Sequence, residues 1–107
     1  MHRRGDVVAL PAPRGGTGHE QRGKRFGVVL QSDALAHLST VILAPTSTAA
    51  PARAFRPEIV VRGRPTKLLV EQLRAVDHTR LGETVGRLSA MELRAADEAL
   101  KDVLGLF

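Results

Sequence analysis

The stretch FGVVLQSDALAHLSTVILAP, residues 26–45, holds two short runs of β-branched and aliphatic residues around a polar break. Phe26 to Leu30 has the length and branching of a buried strand, and Ser39 to Ala44 reads as another, ending at Pro45-Thr46-Ser47-Thr48. Between them Ser32-Asp33 offers a cap to a short helical turn over Ala34 to His37. On the N-terminal side, Gly5 to Leu10 carries Val7, Val8 and Leu10 in a strand that stops at Pro11-Ala12-Pro13. On the C-terminal side, Ala54 to Val61 predicts a fourth strand and Arg62-Gly63-Arg64-Pro65 a turn. Leu68 to Val76 then reads as extended, with a short strand around Thr84 to Leu88. The chain then changes period. Ser89-Ala90-Met91-Glu92 is a capping box, after which Leu93, Ala96, Leu100, Val103 and Leu104 recur at helical spacing until Gly105. The pattern predicts a mainly β, α+β domain over residues 1–107: a small curled antiparallel sheet or barrel closed by one C-terminal helix.

Composition narrows the chemistry. The 107 residues include no cysteine, four histidines and three aromatics, all phenylalanine, with a formal net charge of +5. Disulfides and thiolate metal sites are thereby excluded, and the scattered histidines do not suggest structural zinc. No apolar run approaches the ~20 residues of a membrane span, and the N-terminus lacks a signal-peptide core, so a cytoplasmic protein is expected. Charge is unevenly distributed: residues 1–74 carry 12 Lys/Arg against 5 Asp/Glu, and residues 75–107 carry 4 against 6. Such a concentrated positive field favours a polyanion or an acidic protein partner. The absence of Trp and Tyr argues against a row of stacking platforms for single strands.

Residues 14–24 contain four glycines and almost no apolar surface, which predicts a mobile basic loop. Within it Gly18 to Lys24 matches the spacing of a phosphate-binding loop. However, Arg25 replaces the required Ser/Thr and a strand follows where that loop must open a helix, so nucleotide hydrolysis is rejected. The same loop gathers His19, Glu20, Arg22, Lys24 and Arg25, a near-neutral titrating group, a carboxylate and three cations within seven residues. That set is able to perform acid–base work on a phosphodiester, or to serve as a plain solvated basic loop.

Four blocks in order resemble the MazF/PemK/Kid toxins of bacterial type II toxin–antitoxin pairs: Arg4-Gly5-Asp6-Val7, the run from Gly18 to Asp33, Ile42 to Ser47, and Val70 to Leu81. The resemblance implies an SH3-like barrel of five to seven strands and a homodimer. It also implies metal- and cofactor-independent cleavage of single-stranded RNA through the ribose 2′-hydroxyl, leaving 2′,3′-cyclic phosphate and 5′-hydroxyl ends. Matched by position, Arg25 contacts the scissile phosphate, the Thr46 hydroxyl hydrogen-bonds it, and Ser47 is a second donor. His19 and Glu20 match the His-Glu pair of Kid-like members, and Glu71 or else His19 acts as general base. Lys24, Arg22, Gln72 and Arg74 complete the expected RNA-binding set. The implied partner is a cognate MazE-like antitoxin whose acidic disordered segment covers the RNA groove.

This sequence departs from the family pattern in three places. Phe26-Gly27 follows Arg25 where proline is usual, Leu69 stands where Kid-like members carry an arginine, and the segment 62–67 is basic instead of acidic. Phe26 is either a base-stacking surface or a barrel-core residue. Because related folds also carry gyrase-binding toxins of the CcdB type, that activity and passive nucleic-acid binding are the competing readings.

Overall fold

A computed structural model describes residues 1–11 and 25–106. The loop expected over residues 14–24, with its site candidates His19, Glu20, Arg22 and Lys24, lies outside the described residues. Seven strands are described, β1 (Asp6–Leu10), β2 (Arg25–Val29), β3 (Thr40–Ser47), β4 (Glu58–Val61), β5 (Arg64–Leu68), β6 (Arg74–Asp77) and β7 (Thr84–Arg87), followed by helix α1 (Ala90–Leu104). They form one curled antiparallel sheet in the order β4-β5-β3-β2-β1-β7, with β6 also paired to β3. The expected barrel with a C-terminal helix is the observed fold.

Strand β3 organises the sheet. Its first half, Thr40 to Leu43, pairs with β6, and its end, Thr46 and Ser47, pairs with β5 on the same sheet path. Pro45, read from the sequence as a break, instead lies inside the strand at the point where the partner changes, and its carbonyl accepts the Leu69 amide at 2.9 Å. A residue without an N–H fits best where the ladder changes partner. A 3₁₀ turn at Val70–Gln72 fills the gap between β5 and β6, so the segment expected to be continuously extended is two strands and a turn. Likewise β4 begins at Glu58, and Arg62-Gly63 alone makes the β4–β5 turn, with Pro65 inside β5 opposite Val60.

Alternation of side chains gives the sheet two apolar faces. Val7, Val28, Ala44, Ile59, Leu68 and Val70 pack on one side with Ala96 and Ala99 of α1. On the other side Val8, Val29, Val41 and Leu43 are covered by Leu10, Val76 and Leu81. Gly82 allows close approach to β1: a Cβ there would lie 2.9 Å from that of Ala9.

The helix follows its local signals. Ser89 Oγ accepts the Glu92 amide at 3.1 Å while Glu92 Oε1 accepts the Ser89 amide at 2.8 Å, and Gly105 ends the helix at φ 70°. Leu104, counted on the apolar stripe, is 52% exposed; Ala99 is buried there instead. Glu92 also reaches beyond its own helix. Its second oxygen, Oε2, accepts the Val60 amide at 2.8 Å and ties the helix start to the edge strand β4. No helix among the described residues is long and apolar enough to cross a membrane.

Candidate functional site

The start of β2, the end of β3 and the β4–β5 hairpin surround an open groove of about 460 Å³. It is lined among the described residues by Arg25, Phe26, Thr46, Ser47, Thr48, Val61, Arg62, Arg64 and Thr66. Three of the sequence-predicted site residues, Arg25, Thr46 and Ser47, therefore share one wall-to-wall space. Glu71, Gln72 and Arg74 are not among the residues lining it.

Hydrogen bonding distinguishes the two hydroxyls. Thr46 Oγ1 donates to the Phe26 carbonyl at 3.2 Å, so its proton is committed to holding β3 against β2. Ser47 Oγ accepts the amides of Ala49 and Ala50 at 3.2 and 3.0 Å. With its oxygen occupied by two donors, the Ser47 hydroxyl retains its proton to donate, and the two incoming amides polarise it. Of the two hydroxyls, Ser47 is therefore the one whose proton is left for a ligand, while the Thr46 proton is engaged within the fold.

Cations dominate the groove. Arg25 and Arg64 have no carboxylate within 4.0 Å among the described residues, and Arg62 has only Glu83 at 3.7 Å, an exposed pair of little screening value. Arg62 also lies over the Phe26 ring, 5.5 Å from its centroid. The turn that carries Arg62 is unusual in its residue choice. Arg62 and Gly63 have φ of 51° and 77°, and Arg62 is the one non-glycine residue with positive φ among the described residues. Sequence reading noted the basic character of this segment, but the roles of Arg62 and Arg64 as groove walls depend on the hairpin register.

Glu71 sits on the 3₁₀ turn behind the groove. Arg56 donates to its Oε2 from Nε at 2.9 Å and from Nη2 at 2.6 Å, and from Nη1 to the Pro51 carbonyl at 3.0 Å. Hydrogen bonding from Arg56 holds the Glu71 carboxyl below its ordinary value, outweighing the opposing effect of burial. Where Leu69 replaces the arginine of Kid-like members, a guanidinium thus reaches the neighbouring carboxylate from another part of the chain. No local sequence signal connects Arg56 to Glu71, since they are brought together only by the fold.

Residues 3–104 match the family of PemK-like, MazF-like toxins of type II toxin–antitoxin systems, and the chain belongs to that family. A candidate toxin of Mycobacterium tuberculosis is 36% identical over 104 residues, spanning 96% of this chain and 97% of that protein. Among solved structures, an endoribonuclease in complex with its cognate antitoxin from a Mycobacterial species superposes with a TM-score of 0.82 at 16% identity, covering 100% of this chain and 98% of that one. The MazE–MazF pair of Deinococcus radiodurans gives a TM-score of 0.76 at 25% identity, covering 99% and 97%.

Proposed function

We propose that this toxin is an endoribonuclease that cleaves single-stranded RNA by attack of the ribose 2′-hydroxyl on the adjacent phosphate, leaving 2′,3′-cyclic phosphate and 5′-hydroxyl ends. The observation that carries this reading is the convergence of Arg25 and the Ser47 hydroxyl on one groove whose arginines have so little carboxylate opposition. An internal nucleophile asks three things of the protein: removal of the 2′ proton, stabilisation of the phosphorane, and a proton for the departing 5′ oxygen. In this scheme Arg25 forks onto two phosphate oxygens as negative charge grows and passes a proton to the departing 5′ oxygen, regaining one from water, and Ser47 donates to a phosphate oxygen. Thr46 holds the strand ends in register, and the positive charge of Lys24, Arg22 and Arg64 draws in the backbone.

The general base assigned in this scheme is His19, because an imidazole is the side chain type best suited to taking a proton near neutral pH. Glu71 is a weaker choice, because it lies outside the groove lining and its lowered pKa reduces its basicity at neutral pH. Glu20 is assigned to the site as the second member of the His-Glu pair. Gln72 and Arg74, away from the groove lining, serve the outer path of the RNA.

The homodimer and the cognate antitoxin belong to the same reading. A groove walled by Arg25, Arg62 and Arg64 suits an acidic antitoxin segment, so inhibition should weaken as salt rises. The test is incubation of the purified protein with a long single-stranded RNA in EDTA. Discrete fragments with 5′-hydroxyl ends support the assignment; intact but retarded RNA would replace it with a binding role, and no interaction would return the gyrase-type alternative.

A further inference from the structure

We infer that Phe26 and Arg62 form a nucleobase platform in the groove, on which a purine flanking the cleaved phosphate stacks. This rests on the RNA-cleaving reading above and adds the determinant of base preference. The chain has three phenylalanines, and Phe26 is the one that lines the groove among the described residues, while Phe55 lies beneath Arg56. Phe26 packs against the core yet remains only partly buried, so a ring anchored from below still presents surface above. The Arg62 guanidinium lies over that ring, 5.5 Å from its centroid, so the two planar groups make a short stack whose outer, positively charged face a base can join.

The backbone at Arg62 strengthens the case. A two-residue hairpin with positive φ at both central positions favours Asn, Asp or Gly at the first, since a larger side chain is strained there. Here that position holds arginine at φ 51°, and its side chain lines the groove. Strained positions of this kind concentrate at binding sites, where the side chain matters more than the backbone preference. Arg62 is also accessible to a ligand: among the described residues its one carboxylate neighbour, Glu83, is 3.7 Å away, and both side chains are exposed. Nucleobases stack on aromatic faces and guanidinium planes, and a purine offers the larger π surface as well as an N7 acceptor for an arginine N–H.

The experiment compares the wild type with Phe26→Leu and Arg62→Asn. Leucine keeps the apolar bulk under the groove, and asparagine is at ease at positive φ, so both variants should retain the wild-type circular dichroism and melting behaviour. Short oligoribonucleotides carrying one cleaved bond are varied through all four bases on either side of it, and kcat/KM is measured for each. The wild type should favour purines at one flanking position by roughly tenfold, and both variants should lose most of that ratio while still cleaving. In parallel, a non-cleavable 2′-deoxy oligonucleotide with 2-aminopurine at that position should be quenched on binding to the wild type and markedly less by Phe26→Leu. Cleavage with the same base ratios in all three proteins would overturn the platform and leave the ribonuclease reading intact. No cleavage of any RNA by the wild type would overturn both.

Discussion

Arg56 grips a single oxygen of Glu71, with Nε and Nη2 at 2.9 and 2.6 Å from Oε2, while Oε1 is buried without a hydrogen-bond partner among the described residues. The same guanidinium bonds the Pro51 carbonyl and lies 5.6 Å from the centroid of the Phe55 ring. It therefore clips the connection that leaves Ser47 to the 3₁₀ turn between β5 and β6, from behind the groove.

Glu71→Gln should lower stability at neutral pH by about 1 kcal/mol, a few degrees in Tm, because the pair is partly exposed. The folded-state carboxyl sits below its ordinary value of 4.5, chiefly through the Arg56 hydrogen bond. Its contribution is present above the unfolded value and is lost as the pH falls through the folded one. The gap between wild type and variant should accordingly close as the pH falls below the ordinary carboxyl value of 4.5, measured by thermal melts across pH. RNA cleavage by the variant should stay within about tenfold of wild type, whereas a loss of about 10²–10⁴ would return the general-base role to Glu71.

Arg25→Ala should reduce RNA cleavage by about 10²–10³ while leaving the melt almost unchanged, since the residue lines the groove instead of the core. Arg25→Lys should recover little, because an ammonium does not fork onto two phosphate oxygens. Single-turnover cleavage of one oligonucleotide reads both, and near-normal rates would remove Arg25 from the chemistry.

The two neighbouring hydroxyls should separate in their effects. Thr46→Val removes the donor to the Phe26 carbonyl and should cost about 1 kcal/mol of stability with cleavage within about threefold. Ser47→Ala removes both the acceptor for two amides and the proposed phosphate donor, so cleavage should fall by at least about tenfold. Parallel melts and rate measurements decide the assignment; a greater catalytic loss in Thr46→Val would restore Thr46 as the donor.

Glu92→Ala should destabilise the fold by about 1–2 kcal/mol, since one carboxylate serves both the helix cap and the amide of Val60. Amide hydrogen exchange gives the specific signature. Val60 and Ser89 should lose protection together, although they belong to different elements and lie far apart in sequence.

What the sequence made legible was local. The helix announced itself through Ser89, Glu92 and Gly105, all within its own span, and the runs at Val7-Val8 and Val28-Val29 marked buried strands. Pro45 was misread because a proline's cost depends on which neighbour would have needed its N–H, and here two strands divide that side of β3 between them. Leu104 follows the helical period but lies in the last turn of α1 and is exposed, so periodicity alone does not say where the covered stripe stops. At the candidate site, the family resemblance was enough to group Arg25 with Thr46 and Ser47, which line one groove. It was not enough to rank the hydroxyls, which differ only in the partners that occupy them, or to pair Arg56 with Glu71.

The arginines that share the groove have a thermodynamic consequence for the protein. Arg25, Arg62 and Arg64 repel one another, and Glu83 offsets little of that repulsion. In a groove open to solvent that repulsion is largely screened, so it costs the free protein little stability by itself. Any polyanion that fills the groove acts as a folding ligand, stabilising the barrel in proportion to its concentration over its dissociation constant. An inhibitor of that charge would protect the molecule it silences, and its removal would release a species at once competent to act and closer to unfolding.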